Sequence, residues 1–115
     1  MYDRIFDLAK ELASEGLAQN DEVRIRSAIS RAYYAVFLTA RDRLNVATEI
    51  EAHTSVIRAV RSRYGILIGS RLYDLKVMRT FADYSFSSQI ESADLYQMWE
   101  LASQKATQLL NRLKT

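Results

Sequence analysis

Apolar residues recur every three or four positions along most of this chain, the spacing that lines one face of an α-helix. Ile5/Phe6, Leu8/Ala9, Leu12 and Ala13 form the first such face, predicting a helix over Asp3–Glu15 with Gly16 as its C-terminal stop. Asn20 or Asp21 can cap the next helix, and Asp21 with Glu22 complements its N-terminal dipole. Ile25, Ala28/Ile29, Ala32/Tyr33, Val36/Phe37, Ala40 and Leu44 carry that second helix, the longest, to Leu44. Its small residues Ala28, Ala32 and Ala35 allow a neighbouring helix to approach closely. Thr48-Glu-Ile-Glu51 has the form of a capping box and starts a third helix that ends at Tyr64-Gly65. Ile66-Leu-Ile-Gly-Ser70 reads as a short connector, with Gly69-Ser70 opening a fourth helix. Leu72, Leu75, Met78 and Ala82 form the inner face of that helix, to Tyr84. The polar stretch Ser85 to Ser92 is a loop, with Ser88-Gln-Ile-Glu91 or Ser92 with Asp94 as the next cap. A fifth helix then runs to Leu113, turning Leu95, Met98/Trp99, Ala102, Ala106, Leu109/Leu110 and Leu113 inward. The pattern predicts an all-α fold: an antiparallel up-and-down bundle of four long helices plus a shorter fifth element.

Composition narrows the class. A length of 115 residues supports one domain over 1–115 and not two cores. Proline is absent and glycine occurs only at 16, 65 and 69, which excludes an all-β fold dependent on hairpin turns. With no cysteine there is no disulfide, thiolate metal site or cysteine nucleophile. The longest uncharged apolar run, Ala32 to Ala40, falls well short of the roughly 20 residues that a membrane span needs, so no membrane role is expected. Charge appears from Asp3 onward, which is unlike a signal peptide, and the cytoplasm is the expected compartment.

Charge is uneven although the net is only +2: residues 1–22 carry −4, residues 23–79 carry +7 and residues 80–115 carry −1. Arginine outnumbers lysine twelve to four, and its planar fork suits phosphate and carboxylate. Arg79 falls at the edge of the apolar sector of the fourth helix, with Asp83 one turn on. A guanidinium at a core boundary is costly unless paired, so the two residues either tie helices together or floor a site for an anion.

No phosphate loop, nucleophile elbow or pair of metal-spaced histidines is present, so no metal and no cofactor is expected. The one histidine, His53, stands near the start of the third helix. Arg31 and Tyr34, three apart on the second helix, offer a polar pocket beside Arg79 or, more simply, one snorkelling arginine on an aromatic-rich helix.

Three segments taken together, Ser30-Arg-Ala-Tyr-Tyr-Ala-Val-Phe37, Ala52-His-Thr-Ser-Val-Ile57 and Met78-Arg-Thr-Phe-Ala-Asp-Tyr84, resemble in order and spacing a small-protein branch of the HEPN superfamily (higher eukaryote and prokaryote nucleotide-binding). The resemblance spans roughly residues 20–112. It implies a helical bundle that forms a homodimer, with a nucleotide- or RNA-phosphate site in an interfacial basic cleft. It also implies a nucleotidyltransferase partner within a toxin–antitoxin or defence system. Ribonuclease members carry an arginine and, after four to six intervening residues, a histidine. Here Arg79 matches the arginine, but the positions that follow at that spacing are Tyr84, Ser85 and Phe86. Tyr84, with a phenol that titrates near 10, is a poor base at neutral pH. Arg79 and Tyr84 are the catalytic candidates by this match, and Arg79, Asp83, Tyr84, Arg31, Tyr34 and His53 are the ligand-binding candidates. An RNA-cleaving toxin would need a divergent site, and a purely structural dimeric bundle is the third expectation.

Overall fold

A two-residue corner, Asn20-Asp21, sets the first packing decision. Asn20 adopts the left-handed conformation (φ 55°, ψ 44°) that closes α1 (Asp3–Gln19), and its N–H returns to the Gly16 and Leu17 carbonyls. Asp21 then caps α2 (Glu22–Arg43), its carboxylate accepting from the N–H groups of Val23 and Arg24 at 3.1 and 3.3 Å. The computed structural model describes residues 2–46, 52–85 and 90–115, and within them α3 (Ala52–Tyr64), α4 (Ile66–Tyr84) and α5 (Ser92–Leu113) complete the chain. The fold is an all-α helical bundle, four long helices and the shorter α3, as the apolar period predicts. No helix is long and apolar enough to cross a membrane.

Side-chain bridges give the directions. Tyr2 donates to Asp42, which puts the start of α1 beside the end of α2. Lys114 pairs with Asp3 at 3.1 Å, so α5 ends at that same pole. Arg26, near the start of α2, reaches the last turn of α4, so those two helices run opposite ways. The core lies between them: Phe6, Ala9 and Ala13 from α1, Ile25, Ala28, Ile29, Ala32 and Val36 from α2, Leu72 and Leu75 from α4, and Leu95, Trp99, Ala102 and Leu109 from α5 are all buried. The alanines expected to admit a close neighbour are fully covered, whereas Leu8 turns outward at 44% exposure.

Two glycines correct the sequence-based boundaries. Gly16 does not end α1, and Gly69 does not open α4; both lie inside helices. Each is where a neighbouring backbone comes too close for a side chain. A Cβ on Gly16 would stand 2.6 Å from the Ile25 side chain. One on Gly69 would stand 2.7 Å from Arg61 Cβ and 3.0 Å from its Cα, so α3 itself would have to move. The break between α3 and α4 is Gly65, at φ 101°. Gly69→Ala is therefore expected to lower stability by about 1–2 kcal/mol, overpacking outweighing the better helix propensity of alanine. A thermal melt at or above wild type would show that α3 yields freely.

The expected capping box Thr48–Glu51 lies outside the described residues, as do Ser88 and Gln89 of the second one. Ser92 is already helical, and the position before it is Glu91, whose side chain makes no capping bond.

Candidate functional site

On α2 the residues Arg26, Ser30 and Tyr34 recur every fourth position and so share one stripe. That stripe faces the C-terminal half of α4. Tyr34 Oη accepts from Arg79 Nη2 at 2.7 Å, and Ser30 Oγ donates to Asp83 Oδ2 at 3.2 Å. Within α4, Arg79 Nε lies 3.0 Å from Asp83 Oδ2 as an ion pair, off the line of a well-directed hydrogen bond. The Arg79 side chain keeps 15% of its surface exposed and that of Asp83 26%, so this pair sits at the mouth of the α2–α4 seam and not deep within it. Arg79 also lies over two rings, its Cζ 5.2 Å from the Tyr34 centroid and 5.7 Å from that of Tyr84.

The fold brings the single histidine to this cluster. His53, on the first turn of α3, stacks on Phe37 at 4.4 Å and meets Tyr34 edge-on at 6.1 Å, so Tyr34 stands between it and Arg79. Its Nδ1 shares a 2.6 Å hydrogen bond with Tyr33 Oη. Burial pushes the Tyr33 phenol well above its ordinary range. Burial, with help from the positive charges of Arg79 and Lys76, holds the His53 imidazole below its ordinary value. The protonated phenol and the neutral imidazole share this bond, and the tautomer of the ring decides which of them donates.

That depression has a sign. The unfolded chain binds a proton at His53 at a higher pH than the folded chain does, so the contribution of His53 to stability is complete above its ordinary value of about 6.5 and is lost as pH falls below it. Between about pH 7.5 and about pH 5, wild type should lose more stability than His53→Gln. Parallel pH profiles in urea melts would contradict the assignment.

Of the residues singled out from sequence, Arg79, Asp83, Tyr84, Tyr34 and His53 converge. Arg31 does not: it lies about 100° around α2 from Ser30 and is exposed, with no hydrogen bond or ion pair to a described residue. The expected pairing of Arg31 with Tyr34 fails because only Tyr34 leans towards α4. Three participants were not foreseen, namely Ser30, Tyr33 and Arg26.

Arg26 is the most deeply buried charge among the described residues, at 2% exposure. Its Nη1 donates to the carbonyls of Ala82 and Phe81 at 3.1 and 3.4 Å, and its Nη2 to that of Ser85 at 3.2 Å. Glu22, one turn earlier on α2, lies 3.4 Å from its Nε. Phe81 and Ala82 belong to the last turn of α4 and Ser85 is the residue that caps it, its own N–H donating to the Phe81 carbonyl at 3.0 Å. A cation at that end also suits the helix dipole. Arg26 thus fixes the turn that carries Asp83 and Tyr84. The regular spacing of Arg26, Ser30 and Tyr34 within an apolar helix was the sequence signal that could have found it.

No group of metal-ligating side chains occurs among the described residues. Compared with known proteins, the chain matches no family model, and neither a curated protein nor a solved structure matches it.

Proposed function

We propose that this chain is a HEPN-like module that holds the phosphate of a nucleotide or RNA at the Arg79 cluster. The observation that carries the reading is the convergence of Arg79, Tyr34, Asp83, Tyr84 and His53 at one partly open seam. Asp83 and Tyr34 hold the guanidinium in one orientation, and two aromatic faces border it. A phosphate entering there meets a pre-oriented cation, and a base has a ring to stack on. Titrating an adenine mononucleotide into wild type and Arg79→Ala tests this reading, with binding expected only in wild type.

The module acts as a homodimer in this proposal. The outer face of α4 leaves Ile66, Leu67, Val77 and Tyr84 exposed at 64, 74, 49 and 70%, apolar surface on the side of the helix turned away from α2 that a second copy would cover. Light scattering that finds a monomer at tens of micromolar would remove this part. A cytoplasmic setting and a nucleotidyltransferase partner in a toxin–antitoxin or defence system rest on the resemblance alone.

One observation favours a second reading, RNA cleavage at a divergent site. The histidine missing from the fourth helix is supplied near Arg79 by His53 from α3. In that chemistry Arg79 would stabilise developing phosphate charge, and His53 in its imidazolium form, which its lowered pKa confines to the acid side, would give its Nε2 proton to the leaving oxygen and return to neutral imidazole. Cleavage lost in both Arg79→Ala and His53→Gln supports it, and the same background in all three proteins ends it.

A further inference from the structure

α3 and α4 diverge from their close contact at Gly69 and Arg61 to leave a shallow groove of about 230 Å³, lined by Thr54, Ile57, Arg58, Arg61, Tyr73 and Lys76. Three cations thus face one trough, and none of them forms an ion pair with a described residue. The carboxylates of α4 are engaged elsewhere, Asp74 with Lys105 at 3.6 Å and Asp83 with Arg79. Like charges gathered without counter-charge favour an anionic occupant. Tyr73, 56% exposed, supplies a flat ring in the same wall. The volume is below the roughly 300–1,000 Å³ usual for small-molecule pockets, which suits an open track better than a closed site. The track leads towards the Arg79 cluster: Thr54 follows His53 in sequence, and Lys76 is one turn before Thr80 and Arg79 on α4.

We infer that this groove is a second subsite, in which Arg58, Arg61 and Lys76 take backbone phosphates and Tyr73 stacks a base, so that the ligand is a single-stranded nucleic acid rather than a mononucleotide. The inference deepens the phosphate reading of the Arg79 cluster and rests on it. Cations along a backbone beside an aromatic platform are how proteins hold single strands without reading their sequence. An acidic peptide would use the cations and leave Tyr73 idle.

Fluorescence anisotropy with labelled single strands of about 12 nucleotides, RNA and DNA separately, against an adenine mononucleotide and a polyglutamate peptide tests it. Wild type should bind the strand at least tenfold more tightly than the mononucleotide. The triple variant Arg58→Ala/Arg61→Ala/Lys76→Ala should collapse that ratio and flatten the logarithmic salt slope by about 2, at roughly 0.7 per phosphate contact. Tyr73→Ala should weaken the strand severalfold, and Tyr73→Phe should not. A length preference that survives in the triple variant while Arg79→Ala abolishes mononucleotide binding overturns the groove and leaves the Arg79 reading standing. Polyglutamate that binds as tightly as the strand also overturns it. A wild-type protein that binds neither nucleic-acid probe overturns both readings.

Discussion

Arg26→Ala is expected to cost about 3–5 kcal/mol of folding stability, a large part of what a domain of this size possesses. The loss has two sources. A long side chain at 2% exposure leaves a cavity, and the carbonyls of Ala82 and Ser85 lose the guanidinium, as does that of Phe81, which keeps only the Ser85 N–H. Urea unfolding would read the loss as a lower midpoint at unchanged slope. Two further variants identify its origin. Arg26→Met fills much of the space but cannot donate to three carbonyls, so most of the loss should remain; a Met variant as stable as wild type would show that the carbonyls do not depend on this residue. Arg24→Ala serves as the control, because its pairs with Glu15 and Asp21 are partly exposed and are worth less than about 1 kcal/mol. As Arg26 also fixes the turn that carries Asp83 and Tyr84, any variant that folds should bind phosphate more weakly as well.

The second large effect is at Arg79, where binding and architecture make different predictions. Arg79 is mostly covered, and its bonds to Tyr34 and Asp83 join α2 to α4 within one chain. A purely architectural residue of this kind would cost about 1–3 kcal/mol when truncated and have no effect on any ligand. The proposed role predicts the same order of destabilisation together with a loss of nucleotide affinity of about ten- to a hundredfold, the worth of one charge-assisted contact. Arg79→Lys separates the two further. Lysine keeps the charge but cannot bond Tyr34 and Asp83 while also facing a phosphate, so affinity should fall nearly as far as in the alanine variant with a smaller loss of stability. Equal affinity in wild type and both variants would leave Arg79 as a helix tie.

The bundle could be read from the chain because it depends on a period, and the period is nearly unbroken: the inward residues of α5 are those the spacing selects, from Leu95 to Leu113. The errors come from features that depend on two helices at once. Gly16 and Gly69 look like helix ends by type, but they are required by the approach of Ile25 and Arg61, which no local pattern reveals. Asp21 and Gly65, whose roles are local, were placed correctly. The site divides in the same way. Arg79 and Asp83 were legible as one turn of one helix, whereas the arrival of His53 beside Tyr34 required the packing of α3 on its neighbours. Arg31 was preferred to Arg26 because it belongs to a recognisable segment, yet a difference of about 100° per residue around α2 decides which side chain meets α4.

The central claim, that a phosphate seats on Arg79, can be observed at the residue itself. With arginine labelled by ¹⁵N and the Arg79 Nε–H signal assigned by its disappearance in Arg79→Lys, an adenine mononucleotide is added stepwise. The account predicts a saturable shift of that signal, with the signals of distant Arg4 and Arg112 unchanged. An Arg79 signal that stays still while nucleotide binding is seen elsewhere, or while no binding occurs at all, would contradict it.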